Sequence, residues 1–289
     1  MLFLIFSILC SVLVSVQLKL AQRKGIATTE AIAWNYLVAA GLCWFLLDPP
    51  LGGLALNQAP VISLVALALL LPGIFLVMAA SVKVAGIVRT DIAQRLSLVL
   101  SLLAAFLLFG EKADALKITG LVLGLAAIIC LIARSEPLPD AAHSPSRWLL
   151  PLAVLVGYAS VDILLKRIAI SGTPFAVSLL IAFATAFVLM MALLVWRRAR
   201  HGHRTTLMGL VAGLVLGVTN FGNILFYIRA HQALPDNPAV VFSMMNIGVV
   251  VLGTLVGVVG FGERLSRLNK LAVPLAVMAI LLIAMSLRG

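Results

Sequence analysis

Asp91, Gln94 and Arg95 stand at i, i+3 and i+4 inside a run that is otherwise apolar, so all three share one helical face. An ionisable group inside a membrane helix costs about 2.5–3.5 kcal/mol on insertion scales, so such groups point to function or to internal pairing. Asp91 and Arg95 are spaced to pair with each other. They form either an interfacial ion pair that snorkels to the headgroups or a site in which Arg95 faces a cavity and holds a carboxylate or phosphate. Asn220, Asn223 and Tyr227, at i, i+3 and i+7, make a polar stripe in the middle of another apolar run. Packing against lipid does not require such a stripe, so it predicts a cavity lining. Asp162 precedes Lys166 by four residues. This is either a structural ion pair near a membrane edge or, if protons are coupled, the candidate carboxylate for that coupling.

Other chemistries have less to build on. The four histidines, His143, His201, His203 and His231, fall in loops or at segment ends, and no His-Glu-x-x-His motif occurs. Cys10, Cys43 and Cys130 lie inside apolar runs at spacings that match no metal motif. The expectation is therefore no catalytic residues, no metal and no cofactor. The chain is 63% hydrophobic and 11% charged, whereas about a quarter of residues are charged in a soluble domain, which places it in a bilayer. Its net charge of +11 sits at the ends of apolar runs, where it reads as orientation signalling and headgroup contact rather than nucleic-acid binding.

Ten segments are long enough to cross the hydrocarbon: Leu2 to Leu18, Ala31 to Leu47, Val61 to Val82, Ile92 to Phe109, Leu116 to Ala133, Trp148 to Leu165, Pro174 to Trp196, Leu207 to Ile228, Pro238 to Phe261 and Leu271 to Leu287. Their length favours a helical bundle over a barrel. Two landmarks recur. Phe109-Gly110-Glu111-Lys112 follows the fourth segment, and Phe261-Gly262-Glu263-Arg264 follows the ninth, 152 positions later. Lys19 closes the first segment ahead of Gly25, and Lys166 closes the sixth ahead of Gly172 at the same spacing. A proline-containing break separates residues 1–134 from 148–289, with 135–147 as linker, so the chain reads as two five-helix repeats. Five is odd, so the second repeat enters from the opposite side and the repeats are inverted. The Gly-Glu offset sets Gln94 on Asn246, two carboxamides facing across the pseudo-two-fold axis or joined by an interhelical hydrogen bond. Glu111 and Glu263 read as structural turn caps that accept from the first amides of the helix that follows each. Trp34, Asn35 and Tyr36 read as an aromatic belt at the headgroups. Glycines at four-residue spacing, Gly120 with Gly124, Gly209 with Gly213 and Gly217, and Gly253 with Gly257, mark close helix contacts that also allow a homo-oligomer.

Ten segments in two halves, each with Gly-Glu-Lys or Gly-Glu-Arg between its fourth and fifth helices, resemble the drug/metabolite transporter superfamily and within it the EamA-like family. The resemblance covers essentially the whole chain. It implies an all-α integral membrane bundle in which helices one, three, four, six, eight and nine surround a central cavity and helices five and ten lie outside. Carried over by position, Gln94, Arg95, Asp162, Asn220, Asn223, Tyr227 and Asn246 line that cavity. The third segment has almost no polar side chain before Ser81 and Lys83, which favours a substrate with a hydrophobic part. The expected function is a secondary transporter, in the direction of export, for a small amphipathic metabolite such as an amino acid. The alternative is a flippase for a lipid-linked group. The partners expected are a small-molecule substrate and the lipid bilayer, most simply the bacterial inner membrane, with no nucleic acid.

Overall fold

The computed structural model describes residues 2–50, 60–109, 114–132, 146–170, 174–201, 205–234 and 238–286. Among them are ten α-helices and no strand: α1 Leu2–Arg23, α2 Thr28–Leu47, α3 Val61–Val84, α4 Ile87–Phe109, α5 Ala115–Ile132, α6 Ser146–Ile170, α7 Phe175–His201, α8 Leu207–Ala233, α9 Pro238–Leu255 and α10 Arg267–Ser286. The last turn after α9, Val256–Gly260, is π-helical. By length and composition, α1, α2, α3, α6, α7, α8 and α10 can each cross a membrane, while α5 and the end of α9 hold shorter apolar stretches. In hydrocarbon every backbone N–H and C=O has to be satisfied within the segment, which is why runs this apolar become helices.

Three helix boundaries differ from the sequence reading in ways that matter. The fourth helix starts at Ile87 rather than Ile92, because Gly86 ends the preceding turn at φ 92°. Asp91 and Arg95 therefore sit in its second and third turns. The first helix runs one turn past Lys19, to Arg23, so Lys19 projects from a complete helix. The sixth begins at Ser146, inside the predicted linker, of which residues 135–145 lie outside the described ones. Glu111 and the side chain of Lys166 also lie outside them.

The packing pairs recur when each helix is exchanged for the one five later. The third helix packs on α6 as α8 does on α1; α4 packs on α6 as α9 does on α1; α2 packs on α8 as α7 does on α3; and α5 lies along α10. The glycine stripes sit at these contacts. Gly213 and Gly217 press α8 onto Ala31, Trp34, Asn35 and Val38 of α2, and Gly120 presses α5 onto Ala279 and Ile283 of α10.

Buried polar groups pin the ends of these contacts. Glu30 of α2 is fully buried and accepts from the Thr206 backbone N–H at 2.6 Å and its hydroxyl at 3.3 Å, while Thr206 caps Gly209 at the start of α8. Arg89 of α4 donates to Asn269 of α10 at 2.9 Å. The predicted aromatic belt is not one: Tyr36 is 1% exposed between Phe75 and Phe183, and Asn35 is fully buried. These residues face the neighbouring helices because α2 is enclosed by α7 and α8. Glu30→Ala removes two hydrogen bonds to a buried carboxylate, so it should destabilise the fold by about 1–3 kcal/mol. Thr206→Ala should cost about 1 kcal/mol. Thermal unfolding in detergent, with the larger Tm loss for Glu30→Ala, checks this ordering.

Candidate functional site

A cavity of about 250 Å³ lies among α4, α6, α8, α9 and the start of α7. Its polar wall is Gln94, Arg95, Tyr158, Asp162, Asn223, Tyr227 and Asn246; Phe175, Ile224, Ile228 and Met245 supply an apolar wall. Arg95 donates from Nη2 to Ser11 Oγ at 2.6 Å and from Nη1 to Asn246 Oδ1 at 3.4 Å, and its buried Nε has no hydrogen-bond partner. Asp162 is exposed to the cavity and accepts from Ser101 at 2.8 Å. The guanidinium is thus held by neutral groups, and a carboxylate on the same cavity is held by a hydroxyl. A cation so placed can take an anionic group bidentately, and the carboxylate can take an ammonium.

One helix connects this cavity to the other end of the bundle. On α1, Ser7 donates to Asn223 Oδ1 at 3.0 Å, Ser11 accepts from Arg95, Ser15 donates to Asp91 Oδ1 at 2.7 Å, and Lys19 pairs with Glu263. Four-residue spacing keeps these groups near one face, and Ser11 to Lys19 spans roughly 12 Å of helix rise. The ladder ends in a latch. Glu263 Oε1 accepts from the Ile87 amide at 2.7 Å and Oε2 from the Val88 amide at 3.0 Å, so one carboxylate holds the first amides of α4 and the Lys19 ammonium together. Phe261 lies beneath Lys19 and Arg23, each 4.9 Å from its ring centre. Gly262, at φ 65°, makes the turn that sends Glu263 back toward α4, and a Cβ on Gly86 would lie 2.6 Å from the Glu263 carboxylate.

The structure brings Gln94, Arg95, Asp162, Asn223, Tyr227 and Asn246 onto one cavity. Three readings change. Asn220 does not line the cavity; it lies one turn nearer the latch end than Asn223 and donates to Asn35 at 3.1 Å, where α8 is pressed onto α2. Asp91 and Arg95 do not form the predicted ion pair, because Ser15 and Ser11 of α1 take them separately. Glu263 is a cap, but of α4 rather than of the helix that follows it, because the π-helical turn and Gly262 redirect the chain. Tyr158 was missed, although it stands four residues before Asp162; its hydroxyl contacts Met78 Sδ at 3.3 Å. The buried Ser7, Ser11 and Ser15 were missed as well, although their even spacing ahead of Lys19 is visible in the sequence.

Apolar helices of spanning length packed around a polar cavity define a multi-pass membrane protein. The chain belongs to the same family as an uncharacterized protein of Haemophilus influenzae, to which it is 44% identical over 285 residues, covering 96% of this chain and 95% of that one. The crystal structure of a protein 18% identical to this chain covers 99% of both with a TM-score of 0.61, which shows a shared fold. No family model matches the chain.

The latch has a direct signature in exchange. Glu263→Ala should speed deuterium uptake at Ile87 and Val88 relative to the rest of α4, whereas Glu263→Gln, which keeps one acceptor, should have a smaller effect. Uniform uptake along α4 in both variants would contradict the cap.

Proposed function

We propose that the chain is a secondary transporter of a small amphipathic metabolite, working by alternating access between two inverted five-helix repeats in the manner of the EamA-like family it resembles. The observation that carries this reading is the cavity, where an unpaired guanidinium and a separate carboxylate face the same space beside an apolar wall. A solute with an anionic group for Arg95, a cationic group for Asp162 and an apolar part for Phe175, Ile224 and Met245 fits this lining. An amino acid has that chemistry. The latch of Lys19, Glu263 and the α4 N-terminus stands beyond the inner end of the cavity, so its opening would expose the site to the other side. Export, out of a bacterial cell through its inner membrane, is the direction assigned.

The exchange of packing partners between helices five apart supports the repeat, as does the way Lys19 and Glu263, one from each recurring landmark, meet in a single contact. Inverted repeats rocking about a site held between them are a recurrent transporter design.

The test is uptake into proteoliposomes of a panel of labelled amino acids and small metabolites, with and without a proton gradient. A charge-assisted hydrogen bond is worth about 1.5–3 kcal/mol, so Arg95→Ala should weaken saturable uptake of a carboxylate-bearing solute by on the order of 10–100-fold. Asp162→Asn should selectively weaken solutes that carry an ammonium. If no soluble compound moves while a labelled lipid is scrambled, the flippase reading replaces this one.

A further inference from the structure

We propose that Asp91 is the site at which a coupling proton binds, and that its occupancy decides whether the latch is open or closed. This rests on the transporter reading and adds the coupling ion and the residue that carries it.

Asp91 is 2% exposed, lies between cavity and latch, and is met on one side by Ser15 and on the other by Gly253. Its Oδ1 accepts one hydrogen bond and its buried Oδ2 has no partner. A buried carboxylate needs several donors or a counter-ion to stay charged at tolerable cost. Arg95, the cation one turn away on the same face, is turned to Ser11 and Asn246 instead. A proton on Oδ2, forming an O–H bond there, neutralises the group. Asp162 differs in kind: it is exposed to the cavity and free to meet solute.

The surroundings tie this proton to the latch. Charged and titratable groups reach Asp91 from Arg95 on its own helix, from Glu263 beyond α9 with its partner Lys19 on α1, and from Tyr158 on α6, with Asp162 one turn further along that helix. Arg89 on the same helix is turned to Asn269, while Lys83 of α3 and Arg267 and Lys270 of α10 are exposed; Lys117 stands in the first turn of α5, which follows the far end of α4. Parting α1 from α4 to open the latch end would take Ser15 from Asp91 and admit water, to which the proton on Oδ2 is released. Proton binding therefore favours the latched state, and proton release favours the opened one.

The experiment needs no solute. In the full chain with Cys10, Cys43 and Cys130 replaced by alanine, spin labels at Lys24→Cys and Arg264→Cys, reconstituted in lipid vesicles, report the distance across the latch end at acidic and alkaline pH. The proposal predicts a shift to longer distances at alkaline pH, lost in Asp91→Asn, which stays short at both, and retained in Asp162→Asn. Infrared spectra of the same vesicles should show a protonated-carboxyl band that Asp91→Asn removes and Ser15→Ala shifts, so the test survives if one variant does not fold. No pH-dependent distance, or a shift and band that persist in Asp91→Asn, would overturn it. A pH switch in a protein that moves no solute of the panel would fail the transporter reading and leave the proton site standing. Solute uptake without the switch would do the reverse.

Discussion

The carboxylate of Glu263 does two jobs that are usually given to separate residues. The first amides of a helix have no partner within it, and the N-terminus carries about half a unit of positive charge from the aligned peptide dipoles. Glu263 satisfies the first two amides of α4 and at the same time pairs with Lys19 of α1. A carboxylate at a helix N-terminus is worth about 0.3–1 kcal/mol when exposed and up to about 2 kcal/mol when partly buried. Moving α1 away from α4 therefore has to break either the ion pair or the cap. That makes the contact a good closure: strong as a whole, yet built from pieces that can be exchanged for water one at a time.

The rest of the polar architecture follows from this anchor. With the start of α4 fixed, Asp91 and Arg95 come one and two turns further along its face, opposite Ser15 and Ser11, and Arg95 reaches the cavity. The serine hydroxyls suit this role because they are short and can donate to a carboxylate or accept from a guanidinium. They hold the two side chains apart in the interior, which leaves Arg95 able to bind something else. Gly253 and Gly257 let the end of α9 close on Asp91, Val88 and Glu263, so latch and ladder are packed from both sides.

Much of this was legible in residue type and spacing. Apolar run lengths place the helices, since lipid leaves the backbone no other solution, and the rarity of polar groups inside those runs made six cavity residues recognisable. What was not legible was depth and partnership. Asn220 shares a stripe with Asn223 and Tyr227, but the stripe does not say that the cavity stops one turn short of it. The i, i+4 spacing of Asp91 and Arg95 permits a pair within one helix, and nothing local shows that α1 will supply better partners to each. The role of Glu263 depends on a π-helical turn and a positive φ at Gly262 that redirect it to a helix from the other half of the chain. Lys19 and Glu263 each stood out as half of a repeated landmark; that they meet is a fact of the folded state.

The central claim is that this contact seals one end of the polar path. It is tested most directly by labelling Ser15→Cys, in a chain otherwise free of cysteine, with a membrane-impermeant thiol reagent applied from each side of a vesicle. Ser15 should be protected from the latch side while Lys19 and Glu263 are intact, and should become reactive from that side alone when Glu263→Ala removes the pair and the cap together. Equal labelling with and without Glu263, or labelling that rises only from the cavity side, would contradict the claim.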